Sequence, residues 1–167
     1  MRTVIILLSL SLLTVVNASN ENDDVVEPSP FCLNVVNAIG NTPDKTVKIF
    51  GEPASKKITE IENTHNKNIT DKEIYLKYEE GFINYRYLSV TNEYLLLSAK
   101  LPSTSFTPKL SILLPSTRKD FYSKIGKPNE ENKSQIRYYC TFESVEWVEI
   151  YFEKSNNIGF SYVGYID

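Results

Sequence analysis

Histidine is almost absent from this sequence: His65 is the only one, and Cys32 and Cys140 are the only cysteines. Three such side chains are too few for a zinc cluster. Positive charge is not in excess, with 18 Lys and Arg against 21 Asp and Glu and a net charge of −3. A strong nucleic-acid binder needs a basic surplus to engage phosphates, so no nucleic-acid partner is expected. Six glycines are scattered, mostly at turn-like positions, and form neither a Walker-type nor another Gly-rich phosphate loop. A Gly-x-Ser-x-Gly nucleophile elbow is also missing. No apolar run reaches the roughly 18 residues that a membrane-spanning helix needs. These absences leave no catalytic residue, no metal ligand set and no cofactor to assign.

What is present is ordinary globular material. The chain has 167 residues, 41% hydrophobic and 23% charged, enough for one domain or two small repeats sharing a core. Its start reads as an address. Met1-Arg2 precedes a thirteen-residue apolar run, Val4 to Val16, and Val16-Asn17-Ala18 fits the −3 and −1 positions of a cut after Ala18. This is the build of a cleavable signal peptide over 1–18, without a cysteine at the cut to carry a lipid. Residues 19–30, Ser-Asn-Glu-Asn-Asp-Asp-Val-Val-Glu-Pro-Ser-Pro, form an acidic leader with little apolar surface to offset the entropy of ordering. The expected location is periplasmic or secreted, with no stable membrane anchor after cleavage.

The rest repeats weakly, at a spacing of about 75 residues. Thr42-Pro43 opens one short helix that closes at Phe50-Gly51-Glu52-Pro53, and Thr117 opens another that closes at Ile125-Gly126-Lys127-Pro128. Threonine caps a helix start, proline suits the first helical position, and Gly followed by Pro ends a helix and blocks its resumption. An earlier helix is expected over Phe31 to Ala38, ended by Gly40. Strand signals rich in Tyr, Phe, Val and Ile then follow. In the first half they are Lys57–Glu62, Ile74–Glu79, Ile83–Thr91 and Tyr94–Leu101; in the second, Gln135–Phe142, Val145–Glu153 and Ile158–Ile166. Ile74–Glu79 lies over Val148–Glu153 at an offset of 74, and Lys109–Leu114 offers a further strand. The expected fold is α+β: two tandem repeats of a short helix plus antiparallel hairpin strands, helices on one face of the sheet. The expected divisions are 31–103 for the N-terminal helix and first repeat, 104–114 for a linker, and 115–167 for the second repeat.

A short helix ending in Gly-x-Pro, followed by antiparallel strands and repeated once, resembles the tandem-repeat fold of β-lactamase inhibitor protein and its relatives. Phe50-Gly51-Glu52-Pro53 and Ile125-Gly126-Lys127-Pro128 carry the resemblance. Small envelope lipoproteins that assist outer-membrane barrel assembly hold a single related unit. The resemblance implies a protein-binding module that uses an exposed sheet face, not an enzyme. It transfers no binding residue.

Strand phase selects the candidate residues. If Leu76, Cys140, Ile150 and Phe160 point inward, then Tyr75, Lys77, Arg137, Tyr139, Trp147, Glu149, Tyr151 and Tyr165 point outward. Tyr94 and Lys100 join them if Leu95, Leu97 and Ala99 point inward. Tyr75, Lys77, Arg137, Tyr139, Trp147 and Tyr151 form a set, expected on neighbouring strands, with the composition of protein-binding hot spots, although cross-strand pairing on a solvated sheet uses the same residues. Two other functions compete. Trp147 and Tyr151 could stack on a sugar or peptidoglycan fragment, and Glu149 or Glu153 could serve a glycan hydrolase. His65 sits in a polar stretch that reads as a surface loop. Asn68-Ile69-Thr70 and Asn132-Lys133-Ser134 are glycosylation sequons. An exported chain with two cysteines pairs them, which joins Cys32 to Cys140; two unpaired core cysteines are the alternative.

Overall fold

The computed structural model describes residues 30–141, 145–154 and 156–164. The expected signal peptide and all but Pro30 of the acidic leader lie outside them, as do Phe142, Glu143 and Tyr165. Among the described residues no helix is long and apolar enough to cross a membrane.

Three of the four described helices start at a threonine cap. Helix α1 (Pro30–Ile39) turns Phe31, Cys32, Val35, Ala38 and Ile39 into the core. Thr42 caps α2 (Pro43–Phe50) by accepting from Lys45 N–H, and Gly51 ends it at φ 82°. Thr117 caps α4 (Arg118–Lys124) by accepting from Asp120 N–H. Helix α3 (Pro108–Leu113) stands where a strand over Lys109–Leu114 was expected. The correction has a local cause: Thr107 accepts from Leu110 N–H and Pro108 takes the first turn, the same start as Thr42-Pro43.

Among the described residues, eight strands form one sheet in which every neighbouring pair runs antiparallel. They are β1 (Ser55–Glu62), β2 (Thr70–Tyr78), β3 (Gly81–Leu88), β4 (Glu93–Pro102), β5 (Glu130–Glu131), β6 (Gln135–Tyr139), β7 (Trp147–Glu153) and β8 (Asn156–Val163). Their order is β1-β2-β3-β4-β8-β7-β6-β5. Each half is a four-strand meander, and the two join where β4 pairs with β8. In this order β2 holds the place that β6 holds in the other half, not that of β7. The offset of 74 therefore does not carry beyond the helices, because the stretch from β1 through its loop is longer than the one around β5.

One face of the sheet is apolar and covered. Ile74, Leu76, Ile83, Tyr85, Leu101, Ile136, Tyr138, Val148, Ile150, Phe160 and Tyr162 are buried there with α1 and Phe121 of α4. Aromatic contacts tie helices to strands: Phe31 meets Tyr138 and Phe121 with centroids at 5.2 and 6.4 Å, and Phe121 meets Phe152 at 5.8 Å. Phe106, just before α3, meets Phe160 at 5.6 Å. Cys32 and Cys140 form a disulfide with Cα atoms 5.4 Å apart across 108 residues of sequence. The pairing of the two cysteines is thus confirmed, and it clamps α1 to the end of β6.

Candidate functional site

All four described helices pack on the apolar side of the sheet, which leaves the other face open to them. Side chains alternate along a strand, so register alone lays out this open face in rows. One row crosses all eight strands: Ser55, Lys77, Phe82, Lys100, Ser161, Glu149, Arg137, Glu130. The next runs Lys57, Tyr75, Asn84, Ser98, Val163, Trp147, Tyr139. Tyr151 follows Glu149 on β7, opposite Gly159 and Gln135. All six candidate residues, Tyr75, Lys77, Arg137, Tyr139, Trp147 and Tyr151, therefore share one face. Val148 and Ile150 beside Trp147 are fully buried on the opposite side, which fixes the phase of β7.

They do not form one cluster. Tyr75 and Lys77 stand on β2, and Arg137 and Tyr139 on β6, five strand spacings away, or about 24 Å. The strands were expected to be neighbours. They are not, because the β4–β8 seam places β3, β4, β8 and β7 between them.

The β6–β7 group is bound together by charge. Arg137 donates to Glu149 Oε2 from Nη2 at 2.7 Å and from Nε at 3.0 Å, and from Nη1 to Glu130 Oε2 at 2.9 Å. Gln135 donates to the same Glu149 oxygen at 3.3 Å. The Arg137 guanidinium lies over the Trp147 ring, 5.0 Å from its centroid. Burial works against charge on Arg137, but hydrogen bonding and charge from Glu149, then charge from Glu130, outweigh it and raise its pKa. Tyr139 donates to Glu130, and that bond, with burial, pushes its hydroxyl up. Glu149 is consequently buried, although its strand position points it outward. Glu153 is exposed beyond a register shift after Tyr151, so the two acids do not face each other across a cleft.

Sequence reasoning missed Phe82, which stacks on Tyr75 at 5.3 Å. Its only signal was its place directly after the Glu80-Gly81 turn. Lys100 points outward as expected and sits over the Tyr151 ring, 5.7 Å from its centroid. Near it a hollow of about 310 Å³ is lined by Lys100, Pro102, Tyr151 and Ile158, among others. Tyr94 was expected on this face and is not. A register shift between Asn84 and Tyr85 inserts Leu97 as an extra residue in β4, so Leu95 pairs with Arg86 on the open face and Tyr94 pairs with Tyr87 on the other. Leu95 is 43% exposed, whereas Leu96 and Leu97 are buried.

His65 is exposed in the β1–β2 loop, as expected. Among the described residues no group of three or more His, Cys, Asp or Glu is placed to hold a metal ion. Asp71 is structural: it accepts from Asn63 Nδ2 at 2.9 Å and from Ser89 N–H at 3.0 Å.

No protein-family model matches the chain, and no curated protein or solved structure shows significant similarity to it.

Proposed function

We propose that the chain is an exported protein-binding module, an inhibitor, immunity-type protein or envelope assembly factor, that docks its partner on the open face of the sheet. The observation that supports this most directly is the sidedness. All four described helices gather on one face, and the other is left with Tyr75, Phe82, Tyr139, Trp147 and Tyr151 among cations. Aromatic side chains beside Arg and Lys are the usual carriers of protein-binding energy, and charge on the rim sets register more than affinity. The disulfide favours export, since such bonds persist in oxidising compartments.

The two halves are read as tandem copies. Their strand orders mirror each other across the β4–β8 seam. Each short helix carries a Thr cap and is followed by a Gly at positive φ. The carbonyl of that Gly accepts from a tyrosine in the equivalent strand: Tyr78 to Gly51 at 3.5 Å, Tyr138 to Gly126 at 3.0 Å.

A sugar-binding face is less well supported. One face of Trp147 is taken by Arg137 and one face of Tyr151 by Lys100, so neither ring is a free stacking platform on both sides. A hydrolase using Glu149 is also disfavoured, because its carboxylate is committed to Arg137 and Gln135.

The test is capture of partners from an exported-protein fraction by wild type, Trp147→Ala and the helix-side control Tyr122→Ala. Trp147→Ala is expected to weaken capture of a saturable partner by at least about 2 kcal/mol, or roughly 30-fold. It leaves folding nearly intact, because the ring lies on the open face, opposite the core residues Val148 and Ile150. Tyr122→Ala is expected to change nothing. Equal capture by all three proteins would sink the assignment.

A further inference from the structure

We propose that β1 is a self-association edge: two copies of this chain pair their β1 strands antiparallel about a twofold axis at Ile58. The inference is independent of what the open face binds. Strand β1 lies at the end of the sheet and, among the described residues, pairs only with β2, in unbroken register over all eight residues, Ser55↔Lys77 to Glu62↔Thr70. The opposite edge, β5, has two residues. An open edge offers a row of unpaired N–H and C=O groups, and proteins blunt it by shortness, bulges, proline or charge. Only charge is present on β1, and its order is self-complementary.

Ile58 is 55% exposed on the helix side of the sheet. Lys56 and Glu60 flank it two residues away on that same side, and no ion pair engages either among the described residues. An antiparallel twofold at Ile58 sets Ile58 opposite its own copy and Lys56 of each chain opposite Glu60 of the other. Glu60 already lies opposite Lys72 of its own β2, so it would sit between two cations. Other registers are worse. An axis at Lys56, Lys57 or Glu60 opposes like charges, an axis at Thr59 puts Ile58 against Glu60, and an axis at Ile61 puts Glu60 against Glu62. Register in a β pair is fixed by such matches. The arrangement is the closed, isologous kind of commonest dimers, and it would continue both open faces on one side of a doubled sheet.

Light scattering on the full chain tests this. The expected species is a dimer that Lys56→Glu and Glu60→Lys each weaken by at least about tenfold, since each turns two attractive pairs into repulsive ones. The double variant Lys56→Glu with Glu60→Lys is expected to regain the dimer. Mixing the two single variants is expected to give a heterodimer, because their charges complement each other across the axis; both must be folded to do so. A wild-type chain that stays monomeric at about 1 mM overturns the proposal. So does a dimer insensitive to both single variants, or a mixture that forms no heterodimer.

Discussion

Thr46 is fully buried in α2, and its hydroxyl donates to the Ile39 carbonyl at 2.9 Å, just after the last turn of α1 begins to open. The Tyr85 hydroxyl reaches both Thr46 Oγ1 and the Gly40 carbonyl, the latter at 2.6 Å. Gly40 sits at φ +104°, and a Cβ there would come within 3.0 Å of Thr46 N and Oγ1. The α1–α2 corner is thus closed by two hydroxyls and a residue without a side chain. Thr46→Val keeps the shape but removes one hydroxyl, leaving the Ile39 carbonyl and Tyr85 short of a partner. The expected cost is about 1–3 kcal/mol, read from the midpoint of chemical unfolding. A variant as stable as wild type would show that water or local movement satisfies these groups instead. Little of this was legible in the sequence, where Thr46 looks like any mid-helix threonine and Tyr85 like any strand aromatic. The pairing depends on β3 bringing Tyr85 under a corner 39 residues away.

At the scale of elements, punctuation was legible and irregularity was not. Thr42, Gly51, Thr117 and Gly126 mark helix ends by backbone chemistry that needs no tertiary contact, and α2 and α4 stand where those residues put them. The six-residue run Lys109–Leu114 is too short for periodicity to separate strand from helix, and Thr107-Pro108 decides it. The two-residue β5 is below what any pattern can signal. In Leu95-Leu96-Leu97 all three residues suit an interior, and only the pairing of β4 with β3 decides which one faces out. The open face was legible wherever strands alternate cleanly, as in β2, β6 and β7, and failed at that register shift. The expected outcome is lopsided. Leu95→Ser changes stability by no more than about 0.5 kcal/mol, as an exposed substitution does. Leu96→Ala costs about 2–5 kcal/mol, as a cavity-forming one does. Thermal or denaturant unfolding of the pair reads this directly, and equal losses would mean the shift lies elsewhere.

For the whole molecule, the joint between the halves matters most. Among the described residues, strand pairing crosses it only at β4–β8, and the Cys32–Cys140 disulfide spans 108 residues of sequence around it. Replacing both cysteines by serine is expected to cost about 4–5 kcal/mol on chain-entropy grounds, seen as a lower unfolding midpoint matched by the reduced wild type. Cohesion also depends on buried tyrosines staying neutral. Burial, then the nearby charge of Glu52, pushes Tyr78 up from the ordinary value to about 12. Tyr85, Tyr138 and Tyr162 are raised further, with burial the leading cause in each and Glu146 adding to it at Tyr162. A tyrosine whose folded pKa is raised holds its proton more tightly folded than unfolded. Its contribution is therefore complete below about pH 10, the unfolded value, and is lost as pH rises toward the folded one. Tyr85 and Tyr162 are almost wholly buried, and each would cost about 1.4 kcal/mol of stability per pH unit above pH 10. Two units would remove about 5–6 kcal/mol, comparable to the whole stability of a small domain. The expected result is cooperative unfolding near pH 12, with tyrosinate absorbance at 295 nm rising together with loss of the sheet's circular dichroism. Smooth titration of every tyrosine near pH 10 with the dichroism intact would mean that these rings are reached by water and that the core between the two halves is looser than its packing indicates.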